Sequence, residues 1–483
     1  MKTRREFLGN SLLTGAVMAT SGGFNLRADA SAAAKASVST LHSGFGGQLV
    51  LPGNPDYEAY RRAVYHHNRT DKNPAIIARC AASTDVAGCL KLAESEGMPV
   101  ALRSGNHSFV GWGTLNDGLV IDVSQMRTID IDPVARTARV GPGVLSAELA
   151  AAAAQHGLVP VVAQCSTVAV TGLTLGGGLS YLSGIHGAAC DTLLGAELVT
   201  AAGEVLLCNA HQNPDLYWAL RGGGGNFGVV TALTFQLFPI GDVVTGSLAY
   251  RLEDAPEVTR FFYDYMASAP DALQGWTCVN LDEGEKAVLV GLCWSGEPSE
   301  GDRIIAPFRS IAKPLRDTVQ RSSYLETFNI YPRVGPGSHN SIGGCYLRNL
   351  PDEAIEVFVD RIAGLDGSFN CAVGLDHFMH GEISRVAPTA TAFDLRAPGA
   401  LHVWITANWS DPAAEAAALS WGDASWQALK VFSGGRTYAN YPAFEDWSLA
   451  GAAYYENQAR LASIKRSYDP HNVFRLNYNI QPA

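Results

Sequence analysis

Three short segments hold the residues best placed to do chemistry. Arg103-Ser104-Gly105-Asn106-His107-Ser108 follows an apolar run and consists largely of turn formers. The backbone amides of such a turn can gather around an anion such as a pyrophosphate, with the His107 imidazole at its end. The second segment runs from Gln164 to Gly178, opening with Cys165 and closing on Gly176-Gly177-Gly178. Successive glycines let a backbone come close to a flat ligand or a phosphate. The third, Arg221 to Val230, carries four consecutive glycines between the core-like Tyr217 to Leu220 and Val229 to Phe235. That flanking argues against a flexible linker, because the ordering entropy of four glycines needs a structural return. None of the segments is a P-loop or a strand–GxGxxG–helix fingerprint, so nucleotide sites of those kinds are excluded. The cysteines form no CxxC or other metal-ligand spacing, and no metal is expected.

These segments need a scaffold, and hydrophobic spacing supplies one. Residues 74–79, 98–103 and 119–123 read as strands. Ser83 to Gly97 reads as a helix capped by Ser83, with Val86, Cys89, Leu90 and Leu92 on its apolar face. Leu145 to His156 reads as a second helix, closed by Gly157. Beyond about residue 243 the strands lengthen, as in Ala287 to Trp294 and Leu401 to Trp409, with helical spacing over Asp352 to Ala363. A last helix, Ala452 to Tyr468, is stopped by Asp469-Pro470. The fold class is α+β.

A chain of 483 residues is long enough for two or three domains. With 47% hydrophobic and 17% charged residues it is neither disordered, collagenous nor a disulfide framework. A net charge of −11 lacks the attraction that nucleic acid or an anionic membrane needs, so neither is an expected partner. Thr3-Arg4-Arg5-Glu6-Phe7-Leu8, a mildly apolar stretch and Ala28-Asp29-Ala30 together read as a twin-arginine signal peptide over 1–30. That route carries folded proteins, so it points to a cofactor inserted before export and to a periplasmic or secreted redox enzyme. Nine cysteines, an odd number, leave at least one thiol without an intrachain partner. Cys80 and Cys89 could be a disulfide or two buried thiols.

The three glycine segments, His107, Cys165 and the ending Tyr468 to Asn479 together resemble the berberine-bridge-enzyme-like FAD oxidases of the vanillyl-alcohol-oxidase/p-cresol-methylhydroxylase superfamily. The resemblance is close over about 60–240 and 435–480 and loose over 243–430. It implies a two-part FAD-binding domain over 31–242, a substrate domain over 243–430 with a broad antiparallel sheet covered by helices, and a segment 431–483 returning to the FAD domain. It further implies FAD attached covalently through His107, at the flavin 8-methyl carbon, and through Cys165, at ring position 6. Arg103, Ser104, Gly105, Asn106 and Ser108, with Thr171, Gly172, Thr174, Gly176, Gly177 and Gly178, match the cradle of the pyrophosphate and ring. Gly228 and Val230 match the adenine side, and Tyr478 and Asn479 match residues near the ring. Ser183 to His186 departs from the family pattern, so His186 either makes a different cofactor contact or none.

Oxidising an alcohol carbon also needs a base within hydrogen-bond reach of the substrate oxygen. Tyr438-Ala439-Asn440-Tyr441 matches the family's aromatic-x-Asn-Tyr segment, which makes Tyr441 the candidate. A tyrosine of ordinary pKa is neutral at pH 7, so a cation or a hydrogen-bond network would have to favour its phenolate. Strand alternation places Asp376, Phe378 and His380 on one face of a continuous strand through 375–383, so Asp376 or His380 could assist, and Glu382 less so. The expected reaction passes a hydride from an alcohol carbon of a sugar or oligosaccharide to the flavin, and electrons on to dioxygen, giving hydrogen peroxide. Trp404, Trp409 and Trp447 are candidates for stacking on sugar rings. The alternatives are oxidation of a secondary-metabolite alcohol, or a dehydrogenase with another electron acceptor.

Overall fold

The computed structural model describes residues 44–282, 284–330, 339–376, 379–442 and 453–483. The twin-arginine segment, Phe378, Trp447 and the expected helix start at Ala452 lie outside them. Strand Ile76–Arg79, helix Ser83–Ser95 and strand Val100–Arg103 open the first lobe. Both strands pair in parallel with Leu119–Asp122 between them, and Gln48–Val50 adds an antiparallel edge. The apolar runs suit parallel strands buried on both faces. The helix buries Val86, Cys89, Leu90 and Leu92 as its spacing requires. Its cap differs from expectation: Ser83 is the first helical residue and Ala82 holds the cap position without a side-chain bond. The Asp85 carboxylate accepts instead from the Ala81 and Gly46 amides, each at 2.8 Å. An anion in the first turn satisfies nearby amides and complements the helix dipole, which leaves no task for a serine hydroxyl. Cys80 and Cys89 are two buried thiols with sulfurs 4.0 Å apart.

A five-stranded antiparallel sheet completes this lobe, in the order Ile129–Asp132, Thr137–Val140, Val229–Gln236, Leu193–Val199, Val205–Asn209. The second lobe is one large antiparallel sheet. Its central strands run Val243–Arg251, Glu285–Trp294, Leu273–Asp282, Asn370–Asp376, Leu401–Trp409, His339–Leu347. Side-chain alternation divides its two faces. Val279, Leu281, Val373, Leu375, Val403 and Ile405 pack against helices Ala255–Met266, Pro298–Ile311, Asp352–Ala363 and Glu415–Lys430. Trp276, Cys278, Ala372 and Trp404, of the opposite parity, join the core of the first lobe. Asp376 shares the parity of Ala372 and pairs in register with Trp276 and His402. It therefore faces the first lobe, fully buried.

The expected strand through 375–383 ends at Asp376. The Met379 amide turns to donate to the Ala400 carbonyl at 2.8 Å, and Glu382–Arg385 is a short helix. His380 consequently leaves the face of Asp376, its Nδ1 lying 3.4 Å from Gln274 Nε2, and Glu382 pairs with Arg385 at 3.6 Å. The lobes are tied by Arg396, whose guanidinium donates to both Asp191 carboxylate oxygens at 2.8 and 2.6 Å. Chain return is made by helix Gln458–Tyr468, whose Leu461 and Ile464 join Tyr478 and Ile480 in the first-lobe core.

Candidate active site

Two adjoining cavities of about 210 and 280 Å³ lie where the glycine segments meet, sharing Arg103, Ser104, Gly172 and Asn440 in their walls. The loops carrying the two candidate nucleophiles are held together by close backbone approach. A Cβ at Gly105 would sit 2.8 Å from the Ala169 amide, so only glycine lets the 104–106 turn pack there. Asn106 takes a left-handed φ of 58° and donates through Nδ2 to the Arg62 carbonyl at 2.8 Å, turning the chain so that His107 enters the larger cavity. The His107 Nε2 lies 2.9 Å from Thr167 Oγ1 and its Nδ1 lies 3.4 Å from the Tyr65 hydroxyl. Burial pushes the imidazole down to about 4, so it is neutral at pH 7 with one nitrogen lone pair available. Cys165, a free thiol, lines the same cavity, its sulfur 3.5 Å from Thr167 Oγ1.

The opposite wall is the 438–441 turn. Asn440 Nδ2 donates to the Leu173 carbonyl at 2.9 Å and to the Tyr438 hydroxyl at 3.0 Å, fastening the turn to helix Val170–Leu175. A side chain at Gly176 would overlap Asn440, which accounts for that glycine. Tyr441, in this turn, donates its hydroxyl proton to Asp376 Oδ2 at 3.1 Å. Burial and the Asp376 carboxylate both push the Tyr441 phenol well above its ordinary value. The expectation of a favoured phenolate is thereby corrected: the partner is an anion, and the phenol keeps its proton. The pair can still accept a proton, since Tyr441 can take one at Oη while passing its own to Asp376.

Other expected residues divide. Arg103, Ser104, Gly105, Asn106, Ser108, Thr171, Gly172, Gly176, Gly228, Val230 and Tyr478 line one or both cavities. The Arg103 guanidinium is already committed to Asp122 at 2.6 Å and to the Tyr60 carbonyl. Thr174, Gly177, Gly178 and Asn479 stand outside both walls; Gly177 and Gly178 take positive φ and pack against Phe393 and Ala189. His186 stacks on Phe238 at 3.7 Å, away from the cavities. Trp404 and Trp409 are core residues and line neither cavity. Sequence reasoning missed Tyr65 and Thr167, whose partners lie 42 and 60 residues away. It also missed Asn226, whose Nδ2 donates to the Gly223 carbonyl at 2.9 Å, and Lys465, whose Nζ donates to the Asn226 carbonyl at 2.7 Å.

FAD fits this arrangement. At Gly172, shared by both cavities, an added Cβ meets no protein atom within 4 Å, so the missing side chain is what keeps the passage open. The larger cavity presents one neutral imidazole and one thiol, the donor set for two covalent ring attachments. Residues 74–209 match the FAD binding domain family and 437–481 the family described as berberine and berberine like. The (R)-6-hydroxynicotine oxidase of Paenarthrobacter nicotinovorans is 31% identical over 465 residues, covering 90% of this chain and 97% of that relative. The crystal structure of 6-hydroxy-D-nicotine oxidase from Arthrobacter nicotinovorans superposes with a TM-score of 0.83 at 28% identity, over 91% of this chain and 99% of that one. Glucooligosaccharide oxidase from Acremonium strictum, described as carrying 6-S-cysteinyl, 8α-N1-histidyl FAD, shares the fold at TM-score 0.80 and 20% identity, over 92% and 99%.

Proposed function

The chain belongs to the berberine-bridge-enzyme-like family of FAD-linked oxidoreductases, and from that premise we propose that it is an alcohol oxidase whose FAD is tethered through His107 and Cys165. The observation carrying this reading is the convergence of His107, Cys165 and Tyr441 on one cavity, with Asp376 behind Tyr441. When bound, FAD supplies the acceptor for a hydride from the alcohol carbon and delivers the electron pair to dioxygen as hydrogen peroxide. The protein's part is the proton. Tyr441 Oη takes it from the substrate hydroxyl while the Tyr441 proton moves to Asp376 Oδ2, so no charge is stranded on a buried phenol.

The walls offer a substrate an apolar surface. Among the described residues, Tyr65, Phe109, Ile342, Leu173 and Tyr441 face the larger cavity. Phe109 meets Tyr441 edge-on at 5.2 Å and Tyr65 at 5.0 Å. Such a surface suits an uncharged alcohol with an aromatic or aliphatic body, such as a secondary metabolite, better than an oligosaccharide. Export by the twin-arginine route, to the periplasm or beyond, belongs to the same proposal and rests on Arg4-Arg5 and the residues that follow.

The test is acid precipitation of the purified protein followed by peptide mapping, with oxygen uptake over aromatic alcohols, aliphatic alcohols and sugars. Flavin should stay with the peptides of His107 and Cys165, and peroxide should form from alcohols. Colourless peptides at both positions defeat the tethering. Reduced flavin that is reoxidised by an artificial acceptor but not by dioxygen makes the protein a dehydrogenase.

A further inference from the structure

The hydroxyl of Thr167 sits between the two attachment residues, 2.9 Å from His107 Nε2 and 3.5 Å from Cys165 Sγ. Resting on the bicovalent reading above, we propose that Thr167 is the positioning residue that readies both nucleophiles for flavin attachment. A neutral imidazole carries one N–H and one lone pair, and the partner of the first fixes the direction of the second. In the arrangement proposed, Nε2 carries the hydrogen and donates it to Thr167 Oγ1 across the 2.9 Å contact. The lone pair is thereby held on Nδ1, the nitrogen on the Tyr65 side of the ring. A hydroxyl that accepts from Nε2–H keeps its own proton to donate, and Cys165 Sγ is within reach. That contact fixes where the Cys165 sulfur sits in the cavity beside the imidazole.

The chemistry served balances in each case. At His107, a C–H bond of the flavin 8-methyl group is replaced by a C–N bond to Nδ1. At Cys165, the C–H bond at ring position 6 is replaced by a C–S bond. Each replacement releases two protons and two electrons, and dioxygen takes them to form hydrogen peroxide. Thr167 touches neither reacting carbon. It sets which nitrogen attacks and where the sulfur is held, so its removal should affect tethering before it affects turnover.

The experiment uses the full chain from riboflavin-limited cells, as wild type, Thr167→Val and Thr167→Ser. Each is incubated with FAD in air, quenched with acid at intervals, and mapped for flavin on the His107 and Cys165 peptides. Losing one hydrogen bond should slow attachment at Cys165 about tenfold in Thr167→Val. Attachment at His107 should slow as well, because the same hydroxyl is what fixes the ring's free nitrogen. Thr167→Ser should restore both rates. Quenching of FAD fluorescence on binding, equal in all proteins, reports an intact cavity, and Thr167→Ala serves as a second hydroxyl-free variant should valine disturb it. Wild-type rates at both positions in the hydroxyl-free variants overturn the proposal. So does a serine variant as slow as valine, which would make the effect one of packing. A wild type that gains no tether at either residue brings down the bicovalent reading itself, a result distinct from either.

Discussion

Replacing Asp376 with Asn tests the proton relay without changing the volume of the site. The carboxamide can still receive the Tyr441 hydroxyl hydrogen bond now seen at 3.1 Å, but it cannot keep a proton. Tyr441 cannot compensate, because burial pushes its phenol up and the oxygen already carries its proton at neutral pH. Loss of a positioned base typically costs 10²–10⁴ in rate, or roughly 3–5 kcal/mol of transition-state stabilisation. Asp376→Asn and Tyr441→Phe should therefore each slow flavin reduction by about that factor. Because the two residues act as one relay, the double variant should be no slower than the worse single one. The measurement is anaerobic stopped-flow bleaching of the flavin, which isolates the reductive half-reaction from oxygen chemistry. Covalent flavin content, read in the same samples, should be unchanged, since neither residue reaches an attachment atom. If Asp376→Asn reduces flavin at close to the wild-type rate while Tyr441→Phe does not, the relay is refuted. Multiplied losses in the double variant would refute it as well.

Two further expectations concern stability. His67 and His107 are pushed down to about 3 and about 4 by burial, against an ordinary value near 6.5. Below pH 6.5 the unfolded chain binds more protons than the folded one, so stability is full above that pH and falls as the pH drops. About 3 kcal/mol per histidine should be lost by pH 4 in the untethered chain, and a urea midpoint that does not move between pH 7 and pH 4 would contradict it. Lys465 and Asp469 form a fully buried ion pair at 2.6 Å, and the lysine also donates to the carbonyls of Asn226 at 2.7 Å and Phe474 at 2.9 Å. Lys465→Met should cost about 3–5 kcal/mol in chemical denaturation, since it strands a buried carboxylate, and Asp469→Asn added to it should recover part of that loss. Equal stability of the single variant and wild type would remove the pair from the fold's support.

What the amino-acid sequence displayed was local demand. Left-handed or crowded backbone needs glycine or asparagine, so the turn at 103–108 and the runs at 176–178 and 222–225 stood out before any contact was known. Strand parity was read only for Asp376, Phe378 and His380 over 375–383; the structure sets Asp376 on the same side as Ala372 and opposite Val373. The end of that strand was not legible, because the Met379 amide finds its partner in Ala400, across a loop. Tyr65 and Thr167 are ordinary residue types whose importance lies entirely in a partner from another segment, and Lys465 reads as a solvated helix residue until its acceptors are known. Tyr441 shows the limit most sharply. Its candidacy as the hydroxyl at the site came from the family resemblance of residues 438–441, but the sign of its electrostatics came from a carboxylate 65 residues away. A cation there would have made Tyr441 the terminal base. In the relay proposed, the anion makes it a conduit and puts the end point of the proton on a residue that lines neither of the two cavities.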